Sequence, residues 1–425
     1  MGIKELYNLY TKSYKVVKDT RDDVTNAIYF SLKGESFDGN KYALDALKNG
    51  ASYAVIDDEN FKVDQRMILV EDVLICLQDL ATYHRQELKI PILALTGSNG
   101  KTTTKELINA VLNEKYACYA TKGNFNNHIG VPLTLLSMTP EHNFGVVEMG
   151  ANHQLEIANL CEIALPDFGY ITNFGRVHLE GFGSFEGVVE GKTEMYRHLK
   201  KLGKKVFVNQ EDSIQMERSK GMDRISFGTS GADYEVSFLA ADPFVSIAFE
   251  GIHMESQMIG SYNFANIAAA VSIGKYFGIQ TDKIKAAIEG FVPENNRSQI
   301  IHRDSNRIIL DAYNANPNSM EVAIQNLANL SAPKKVAILG DMFEIGKDTS
   351  VEHQQIADLA ISSGLDGVYL IGDAFADTDI SGKELFVFKS FEEFRELFKQ
   401  HSFEDTTFLI KASRGMALER VLDYL

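Results

Sequence analysis

Cysteine is scarce in this chain of 425 residues, and no long apolar segment occurs. Cys76, Cys118 and Cys161 lie far apart and lack the paired spacing of a metal site. This pattern favours buried, reduced thiols, as found in the cytoplasm. The best apolar run, residues 67–77, is too short to span a membrane and carries two acidic side chains. The first residues also lack the apolar region of a signal peptide, so we expect a cytoplasmic protein without membrane insertion.

Basic residues are also fewer than acidic ones. The chain has 42 lysines and arginines against 58 acidic residues, which gives a formal net charge of −16. We therefore expect no nucleic-acid partner, because phosphate backbones are bound by basic surfaces. A small anionic ligand remains compatible with this balance, since backbone N–H groups and a few lysines or arginines can dominate locally.

Proline is rare enough, with eight residues, for its positions to be informative. Pro91 directly precedes an apolar strand, and Pro293 lies in a polar stretch that follows a predicted helix. A chain of this length exceeds what one hydrophobic core accommodates. These two points therefore predict three domains, namely 1–88, 89–293 and 294–425.

Strands and helices alternate along most of the chain, which predicts α/β domains built on parallel sheets. The predicted strands are 27–32, 53–56, 92–96, 145–149, 168–173, 205–209, 308–312, 336–340, 367–371 and 407–411. The predicted helices are 42–49, 102–114, 155–161, 188–199, 263–277, 319–330, 351–362, 391–400 and 416–424. Residues 225–259 differ and favour antiparallel strands. We expect a small α/β first domain, a central parallel sheet of the P-loop ATPase type and a Rossmann-like last domain. No G-x-G-x-x-G follows a strand, so NAD binding is not supported.

The most informative segment joins the apolar strand 92–96 to a predicted helix through the run Gly97-Ser98-Asn99-Gly100-Lys101-Thr102-Thr103. Glycines let backbone N–H groups face a phosphate, and the following helix N-terminus attracts the anion. The lysine can reach the terminal phosphates, and the first threonine can hold Mg²⁺. The spacing is two residues shorter than in the common P-loop, which argues against an ordinary GTPase or small kinase.

Polar side chains follow two further strands, at the sheet edge where α/β proteins bind ligands. Asn124, Asn126 and Asn127 lie in one loop. Their amides suit substrate binding, but a turn-rich loop explains them equally well. Glu148 closes the apolar strand 145–149. A carboxylate there can ligate Mg²⁺, and its position before the turn favours a metal ligand over a helix N-terminal acid.

Three other features are ambiguous from the residues alone. His178 lies in a polar loop and is of a type that binds metals, although an isolated histidine is more often structural. Lys192, which has glutamate neighbours on a predicted helix, is by itself typical of a solvated lysine. The run 311–317 joins a strand to a helix, and its polar cluster favours contact with a nucleotide across an interdomain cleft.

Taken together, these segments resemble the Mur ligase family of bacterial cell-wall synthesis, and the resemblance covers nearly the whole chain. Besides the short phosphate loop, it is carried by runs in all three predicted domains. These runs are Asp19-Thr20-Arg21, Lys33-Gly34-Glu35-Ser36-Phe37-Asp38-Gly39, Asn124-Phe125-Asn126-Asn127-His128-Ile129-Gly130-Val131-Pro132, Glu148-Met149-Gly150-Ala151-Asn152-His153, His178-Leu179-Glu180-Gly181-Phe182-Gly183-Ser184, Tyr313-Asn314-Ala315-Asn316-Pro317-Asn318-Ser319-Met320, Leu339-Gly340-Asp341-Met342-Phe343-Glu344-Ile345-Gly346 and Lys411-Ala412-Ser413-Arg414. The four runs that begin at Glu148, His178, Tyr313 and Leu339 are most similar to the family members that add D-alanyl-D-alanine. The last run resembles the Lys-Gly-Ser-Arg that is usual in the whole family, with Ala412 where glycine is usual.

The resemblance implies a role for each part of the site. It implies ATP binding by Gly97, Ser98, Asn99, Gly100, Lys101, Thr102, Thr103, Asn263, Asn266, Arg297, Asp311 and Tyr313. It implies Mg²⁺ sites at Thr102, Glu148, His178 and a carbamylated Lys192, and catalysis by Lys101, Glu148, His178 and Lys192. A lysine made neutral by its surroundings can add CO₂ and so become an anionic ligand. It implies substrate binding by Thr20, Arg21, Lys33, Gly34, Phe37, Asp38, Asn124, Asn126, Asn127, Asn314 and Asn316.

The implied reaction is ATP-dependent ligation of D-alanyl-D-alanine to UDP-N-acetylmuramoyl-tripeptide through an acyl phosphate, in peptidoglycan precursor synthesis. We expect a monomer. Two alternatives remain: a Mur-type ligase that adds the third amino acid, and a non-catalytic ATP-binding protein. The first usually carries Asp-Asn-Pro-Arg, which is absent here. The chain also departs from the family pattern at Tyr262, where histidine is usual, and at Thr20, where serine is usual.

Overall fold

The computed structural model describes residues 1–293, 296–380, 382 and 384–425. It contains three α/β parts in chain order, each built on a sheet of its own. The predicted start of the third domain, residue 294, lies outside the described residues. Within them, no helix combines the length and apolar character needed to cross a bilayer.

The N-terminal part holds a small parallel sheet and a short hairpin. Its strands are β1 (Val16–Val17), β2 (Ile28–Phe30), β3 (Lys33–Gly34), β4 (Phe37–Asp38), β5 (Tyr53–Ile56) and β6 (Met67–Leu69). Its helices are α1 (Ile3–Tyr10), α2 (Ala43–Lys48) and α3 (Val73–Leu88), with 3-10 turns at Gly39–Tyr42 and Glu59–Phe61. The sheet has the order β1-β2-β5-β6, and β3 pairs with β4.

The central part is built on a sheet of nine strands. These are β7 (Ile92–Thr96), β8 (Cys118–Ala120), β9 (Phe144–Glu148), β10 (Phe168–Ile171), β11 (Lys205–Asn209), β12 (Asp223–Gly228), β13 (Tyr234–Ala241), β14 (Phe244–Phe249) and β15 (Ile252–Ile259). The helices are α4 (Lys101–Leu112), α5 (Gly130–Leu136), α6 (Glu156–Ala164), α7 (Leu179–Phe182), α8 (Phe185–Lys192), α9 (Glu194–Lys201), α10 (Ser213–Arg218), α11 (Phe264–Tyr276) and α12 (Thr281–Gly290), with a 3-10 turn at Ser261–Asn263.

Strand β7 lies at the point of this sheet where the strand order reverses, with later strands added on either side of it. The strand order is β15-β14-β13-β12-β11-β10-β7-β9-β8, so β7 pairs in parallel with β9 on one side and with β10 on the other. All five residues of β7 are buried, as expected for a central parallel strand. The crevice beyond the carboxyl ends of β7, β9 and β10 is where open α/β sheets bind ligands.

In its described residues, the C-terminal part has a sheet of six strands, in which β16 pairs with β17 in antiparallel fashion and the other pairs are parallel. The strands are β16 (Gln299–Arg303), β17 (Asn306–Asp311), β18 (Lys334–Gly340), β19 (Gly367–Ile371), β20 (Leu385–Phe388) and β21 (Thr406–Lys411), in the order β16-β17-β21-β18-β19-β20. The helices are α13 (Pro317–Asn329), α14 (Thr349–Ser362), α15 (Asp373–Ala376) and α16 (Phe391–Phe398), with 3-10 turns at Gly346–Asp348, Arg414–Met416 and Leu418–Tyr424.

The N-terminal and central parts share one hydrophobic core. Buried side chains of α1 and α3, such as Leu6 and Leu77, belong to the same cluster as Leu136 of α5 and Leu160 of α6. The Tyr10 hydroxyl donates a hydrogen bond of 2.7 Å to the carbonyl of Leu136 across this junction. The first part is therefore packed on the central part through its helices, which contact α5 and α6.

Three predicted elements differ from the structure. The helix predicted over 188–199 is broken at Thr193, whose hydroxyl donates to the carbonyl of Val189 at 2.7 Å, a bond that bends helices. The segment predicted as helix 416–424 forms 3-10 turns instead. Within 225–259, only β13, β14 and β15 pair in antiparallel fashion, because β12 continues the parallel sheet beside β11.

Candidate active site

Two glycines of the loop between β7 and α4 lie where no side chain fits. Gly97 has φ +147°, and a Cβ there would lie 1.9 Å from Oγ1 of Thr172. Gly100 has φ +76°, and its Cβ would lie 2.9 Å from Oδ1 of Asn266. A positive φ disfavours residues other than glycine even without these contacts. The loop can therefore approach β10 and α11 closely, and its backbone is held in one shape.

Lys101 begins α4 and folds back over this loop. Its ammonium donates to the carbonyls of Gly97 at 2.8 Å and Ser98 at 3.2 Å. Burial lowers the pKa of Lys101, although Glu148 nearby opposes that shift and Arg297 adds to it. A cation held at the mouth of a phosphate loop is placed to meet the terminal phosphates of a nucleotide.

Glu148, at the end of β9, supplies a buried carboxylate beside the loop. Its Oε1 accepts hydrogen bonds from Oγ1 of Thr102 at 3.2 Å and from Nδ2 of Asn126 at 2.9 Å. Its Oε2 is buried and has no hydrogen-bond partner, and the nearest cation, Nζ of Lys105, lies 3.8 Å away. A hydroxyl next to an unsatisfied carboxylate oxygen is a donor set that fits Mg²⁺.

His178 lines the same cavity as Glu148 and is in contact with the C-terminal part. Nδ1 of His178 lies 2.6 Å from Oε2 of Glu344 in the C-terminal part. Burial lowers the pKa of His178, with repulsion from Lys101 and Lys192 adding to the shift. In the part of the chain that the structure describes, no group of three His, Cys, Asp or Glu side chains forms a metal cluster.

Lys192 is not the solvated lysine that its neighbours in sequence favour. Its side chain is 1% exposed, and its ammonium lies 5.6 Å from the centre of the Phe182 ring. Burial, together with repulsion from Lys101, lowers the pKa of Lys192 well below its usual value. A lower pKa favours the neutral amine, which is the form that reacts with CO₂, so the surroundings fit a carbamylated side chain.

Residues of the central and C-terminal parts enclose a common cavity of about 1070 Å³. The predicted nucleotide residues that line it are Ser98, Asn99, Gly100, Lys101, Thr102, Thr103, Asn263, Asn266, Arg297, Asp311 and Tyr313. The guanidinium of Arg297 stacks on the ring of Tyr313, 3.7 Å from the ring centre. Tyr262, where histidine is usual in the family that the sequence resembles, shares a hydrogen bond of 3.0 Å with Oγ of Ser298.

The amides of Asn263 and Asn266 already have partners inside the protein. Nδ2 of Asn266 donates to Oδ1 of Asn263 at 2.8 Å, and Nδ2 of Asn263 donates to the carbonyl of Ile259 at 2.8 Å. Oδ1 of Asn266 accepts from Oγ1 of Thr104 at 2.9 Å. Asn266 therefore contacts both α4, through Thr104, and the phosphate loop at Gly100. The ligand contact predicted for the pair would be additional.

The predicted substrate residues fall into two groups. Asn124, Asn126, Asn127, Asn314 and Asn316 line the interdomain cavity. The others lie on the N-terminal part and are not among the residues that line it: Thr20, Arg21, Lys33, Gly34, Phe37 and Asp38.

The β3-β4 hairpin brings four of the second group together. Lys33 pairs with Asp57 at 2.8 Å, and Phe37 stacks on Tyr42 with 5.3 Å between ring centres. Arg21 is exposed and pairs with Asp19 at 2.5 Å. The hairpin side chains and their partners Asp57 and Tyr42 thus form a polar and aromatic surface.

Family models match two long stretches of the chain. The Mur ligase middle domain matches residues 95–274, and the Mur ligase, glutamate ligase domain matches residues 296–414. The UDP-N-acetylmuramoyl-tripeptide–D-alanyl-D-alanine ligase of Bacillus subtilis (strain 168) is 35% identical over 431 residues, which cover 97% of this chain and 93% of that protein. The chain belongs to the Mur ligase family.

Solved Mur ligase structures share its fold over nearly their whole length. MurF from Acinetobacter baumannii aligns with a TM-score of 0.85 at 29% identity, covering 96% of this chain and 92% of that one. The MurF ligase from Thermotoga maritima, in complex with ADP, aligns with a TM-score of 0.85 at 26% identity and covers 96% of each chain. The family and the α/β architecture predicted from the sequence are thus confirmed.

Two lysines of this Mur ligase site had no role assigned from the sequence. Lys105 is fully buried one turn beyond Lys101, and its ammonium lies 2.9 Å from Glu106 and 3.8 Å from Glu148. Lys411, 2% exposed at the end of β21, pairs with Asp311 at 2.6 Å. For Lys411 the available signal was a cation at the end of an apolar run. Lys105 stands between Thr104 and Glu106, so its sequence context carried no such signal.

Proposed function

We propose that this Mur ligase joins D-alanyl-D-alanine to UDP-N-acetylmuramoyl-tripeptide, while ATP is cleaved to ADP and phosphate, in peptidoglycan precursor synthesis. The observation that carries the proposal is the interdomain cavity. There the phosphate loop, the carboxylate of Glu148, whose Oε2 has no hydrogen-bond partner, and the cations of the C-terminal part converge. The substrate pair is supported by the name of the Bacillus subtilis relative, and the nucleotide by the ADP complex of the Thermotoga maritima ligase.

The proposed reaction has two steps. First, the terminal carboxylate of the tripeptide attacks the γ-phosphorus of ATP, so that ADP leaves and an acyl phosphate forms. Then the amine of D-alanyl-D-alanine attacks the acyl carbon, phosphate leaves and the new amide loses the extra proton. Lys101 and the N–H groups of the loop stabilise charge on the transferring phosphoryl group, and one such donor is worth roughly 3–4 kcal/mol of barrier.

Thr102 and Glu148 are the residues proposed to hold Mg²⁺, with His178 and a carbamylated Lys192 as the remaining ligands. When bound, Mg²⁺ neutralises charge on the phosphates and on the transferring group. The chain prepares this place by burying the carboxylate of Glu148 and by leaving its Oε2 without a hydrogen bond. Asn126 and Thr102 orient the other oxygen of the same carboxylate.

The two remaining substrates are assigned to different parts of the chain. We propose that 1–88 binds the UDP end through the hairpin surface, that 89–293 binds ATP, and that 294–425 closes over the reacting groups. The dipeptide is assigned to the asparagine residues that line the cavity, namely Asn124, Asn126, Asn127, Asn314 and Asn316. The proposal includes a monomeric enzyme in the cytoplasm, which size-exclusion chromatography and cell fractionation test directly.

Phosphate release tests the proposed function. The purified protein is incubated with ATP, Mg²⁺, UDP-N-acetylmuramoyl-tripeptide and D-alanyl-D-alanine, and each substrate is omitted in turn. Ligation predicts that phosphate release needs both UDP-N-acetylmuramoyl-tripeptide and D-alanyl-D-alanine. It also predicts a product whose mass is the sum of these two substrates minus water.

Two other results would contradict the proposal. Product formation from a UDP-linked dipeptide and a single amino acid would indicate the ligase that adds the third residue. Nucleotide binding without any ligation would indicate a non-catalytic protein.

A further inference from the structure

A hydrogen bond joins the phosphate loop directly to the C-terminal part. Nδ2 of Asn316 donates to Oδ1 of Asn99 at 2.7 Å, although the two residues are 217 positions apart in the chain. Both side chains line the interdomain cavity, and Asn316 is 9% exposed. The two parts of the active site are therefore in contact through a pair of neutral amides.

The orientation of both amides is determined by their other partners. Asn316 is the N-cap of α13, and its Oδ1 accepts from the backbone N–H of Ser319 at 3.0 Å. Because a backbone N–H can only donate, the oxygen of the Asn316 amide must face α13 and its nitrogen must face Asn99. The atom of Asn99 that meets it is therefore the acceptor oxygen.

Asn99 is also tied firmly to the central part. Its backbone N–H donates to Oδ1 of Asn173 at 3.0 Å, and its carbonyl accepts from Oγ1 of Thr172 at 2.6 Å. The next two residues are Gly100 and Lys101, which shape the phosphate site. The bond to α13 therefore lies directly beside the backbone that shapes the phosphate site.

Other contacts cross the same boundary but do not touch this loop. The backbone N–H of Arg176 donates to Oδ1 of Asn318 at 3.1 Å, and the Arg176 guanidinium lies 3.7 Å from Glu352. They join α13 and α14 to the segment after β10. Among the described residues, the Asn99–Asn316 bond is thus the side-chain hydrogen bond that ties the phosphate loop itself to the C-terminal part.

We propose that Asn99 and Asn316 form a latch that couples nucleotide binding at the phosphate loop to closure of the C-terminal part. Both are positioning residues in this role. The inference rests on the proposed function only in taking the loop as the nucleotide site. Coupling is reciprocal, so a contact present only in the closed form raises nucleotide affinity, and bound nucleotide favours closure to the same extent. A neutral hydrogen bond shifts such an equilibrium about 3- to 10-fold.

The matched variants are Asn316→Ser, Asn99→Ala and the double variant. Serine is as good an N-cap as asparagine, so Asn316→Ser keeps the start of α13 while its shorter side chain cannot reach Asn99. The control is Asn329→Ser, the same substitution at an exposed position on the same helix. ADP affinity is measured by calorimetry, and closure is measured as the decrease in radius of gyration that ADP causes in X-ray scattering.

We expect each latch variant to lose about 3- to 10-fold in ADP affinity and to compact less with ADP, while Asn329→Ser behaves as the wild type. The double variant should bind ADP no more weakly than the single variant with the lower affinity, because both substitutions remove the same hydrogen bond. In ligation assays, the KM for ATP should rise more than kcat falls.

Wild-type affinity and compaction in both single variants would overturn the latch. Losses that multiply in the double variant would do so as well. If the wild type fails to ligate any peptide substrate, the proposed function fails. The affinity and scattering results still decide the latch in that case, because neither needs the peptide substrates.

Discussion

Replacing Lys192 with methionine is expected to stabilise the folded protein at neutral pH. Lys192 ends α8 with its side chain 1% exposed, and its ammonium meets the face of Phe182. Burial and repulsion from Lys101 lower its pKa well below the usual value. Methionine fills a similar volume without a charge, so it removes the cost of placing an ammonium in this surrounding.

The pH dependence follows from proton binding in the two states. In the unfolded chain Lys192 keeps an ordinary pKa of about 10.4. In the folded protein the pKa is lower, so between these two values the unfolded state binds more protons and stability rises with pH. The loss of folding stability that Lys192 causes is therefore largest at pH values below its folded pKa, and it vanishes at pH values above its unfolded pKa. Replacing a buried ion pair by apolar side chains of similar volume is neutral or stabilises by up to about 4 kcal/mol, and we expect a gain within that range here, visible as a higher Tm.

The measurement is thermal unfolding of wild type and Lys192→Met at pH 7.0 and 9.5, in buffer free of CO₂ so that the amine stays unmodified. Lys201→Met is the control, since Lys201 is exposed on the neighbouring helix α9, and it should stay within about 0.5 kcal/mol of wild type. A Lys192→Met variant that is less stable at pH 7.0 would refute the reasoning. A gain that does not shrink at pH 9.5 would refute it too.

Three further predictions concern activity. Lys101→Ala should lower phosphate release on the order of 10³-fold or more without loss of fold by circular dichroism; near-normal turnover would exclude the phosphate-loop assignment. Glu148→Ala should raise the Mg²⁺ concentration needed for half-maximal activity, or abolish activity, and an unchanged requirement would make Glu148 structural. Lys192→Ala should be nearly inactive, and added formate or acetate should partly restore turnover by supplying anionic oxygens to Mg²⁺; a mild effect without rescue would argue against the carbamate.

Much of the fold could be predicted because local pattern and burial agree. Residues 53–56 and 367–371 are predicted as strands with the bounds that the structure shows, and each is an apolar run inside a parallel sheet. The incorrectly predicted helices have local causes that the periodicity of apolar residues does not reveal. Thr193 breaks a helix through a side-chain hydrogen bond to the carbonyl of Val189, and the last residues form 3-10 turns.

The candidate site was predictable only where its chemistry is local in sequence. The phosphate loop occupies seven consecutive residues, and Glu148 is marked by its place at the end of a buried strand. The contacts that close the site join distant segments, as with His178 and Glu344 or Asn99 and Asn316. Which residues meet across the cleft depends on how two sheets are placed relative to each other, and no spacing along the chain records that.

The net charge of −16 and an anion-binding cavity are compatible because they act at different ranges. Exposed charges are screened within about 8 Å at physiological ionic strength, so the acidic surface contributes little inside the cleft. Lys101 and Arg297, by contrast, line the cavity itself, and Lys411 is matched there by Asp311. Composition could therefore argue against an extended polyanion, which needs a long basic face. It could not argue against a single nucleotide, because a few enclosed cations and the N–H groups of one loop set the potential that such a ligand meets.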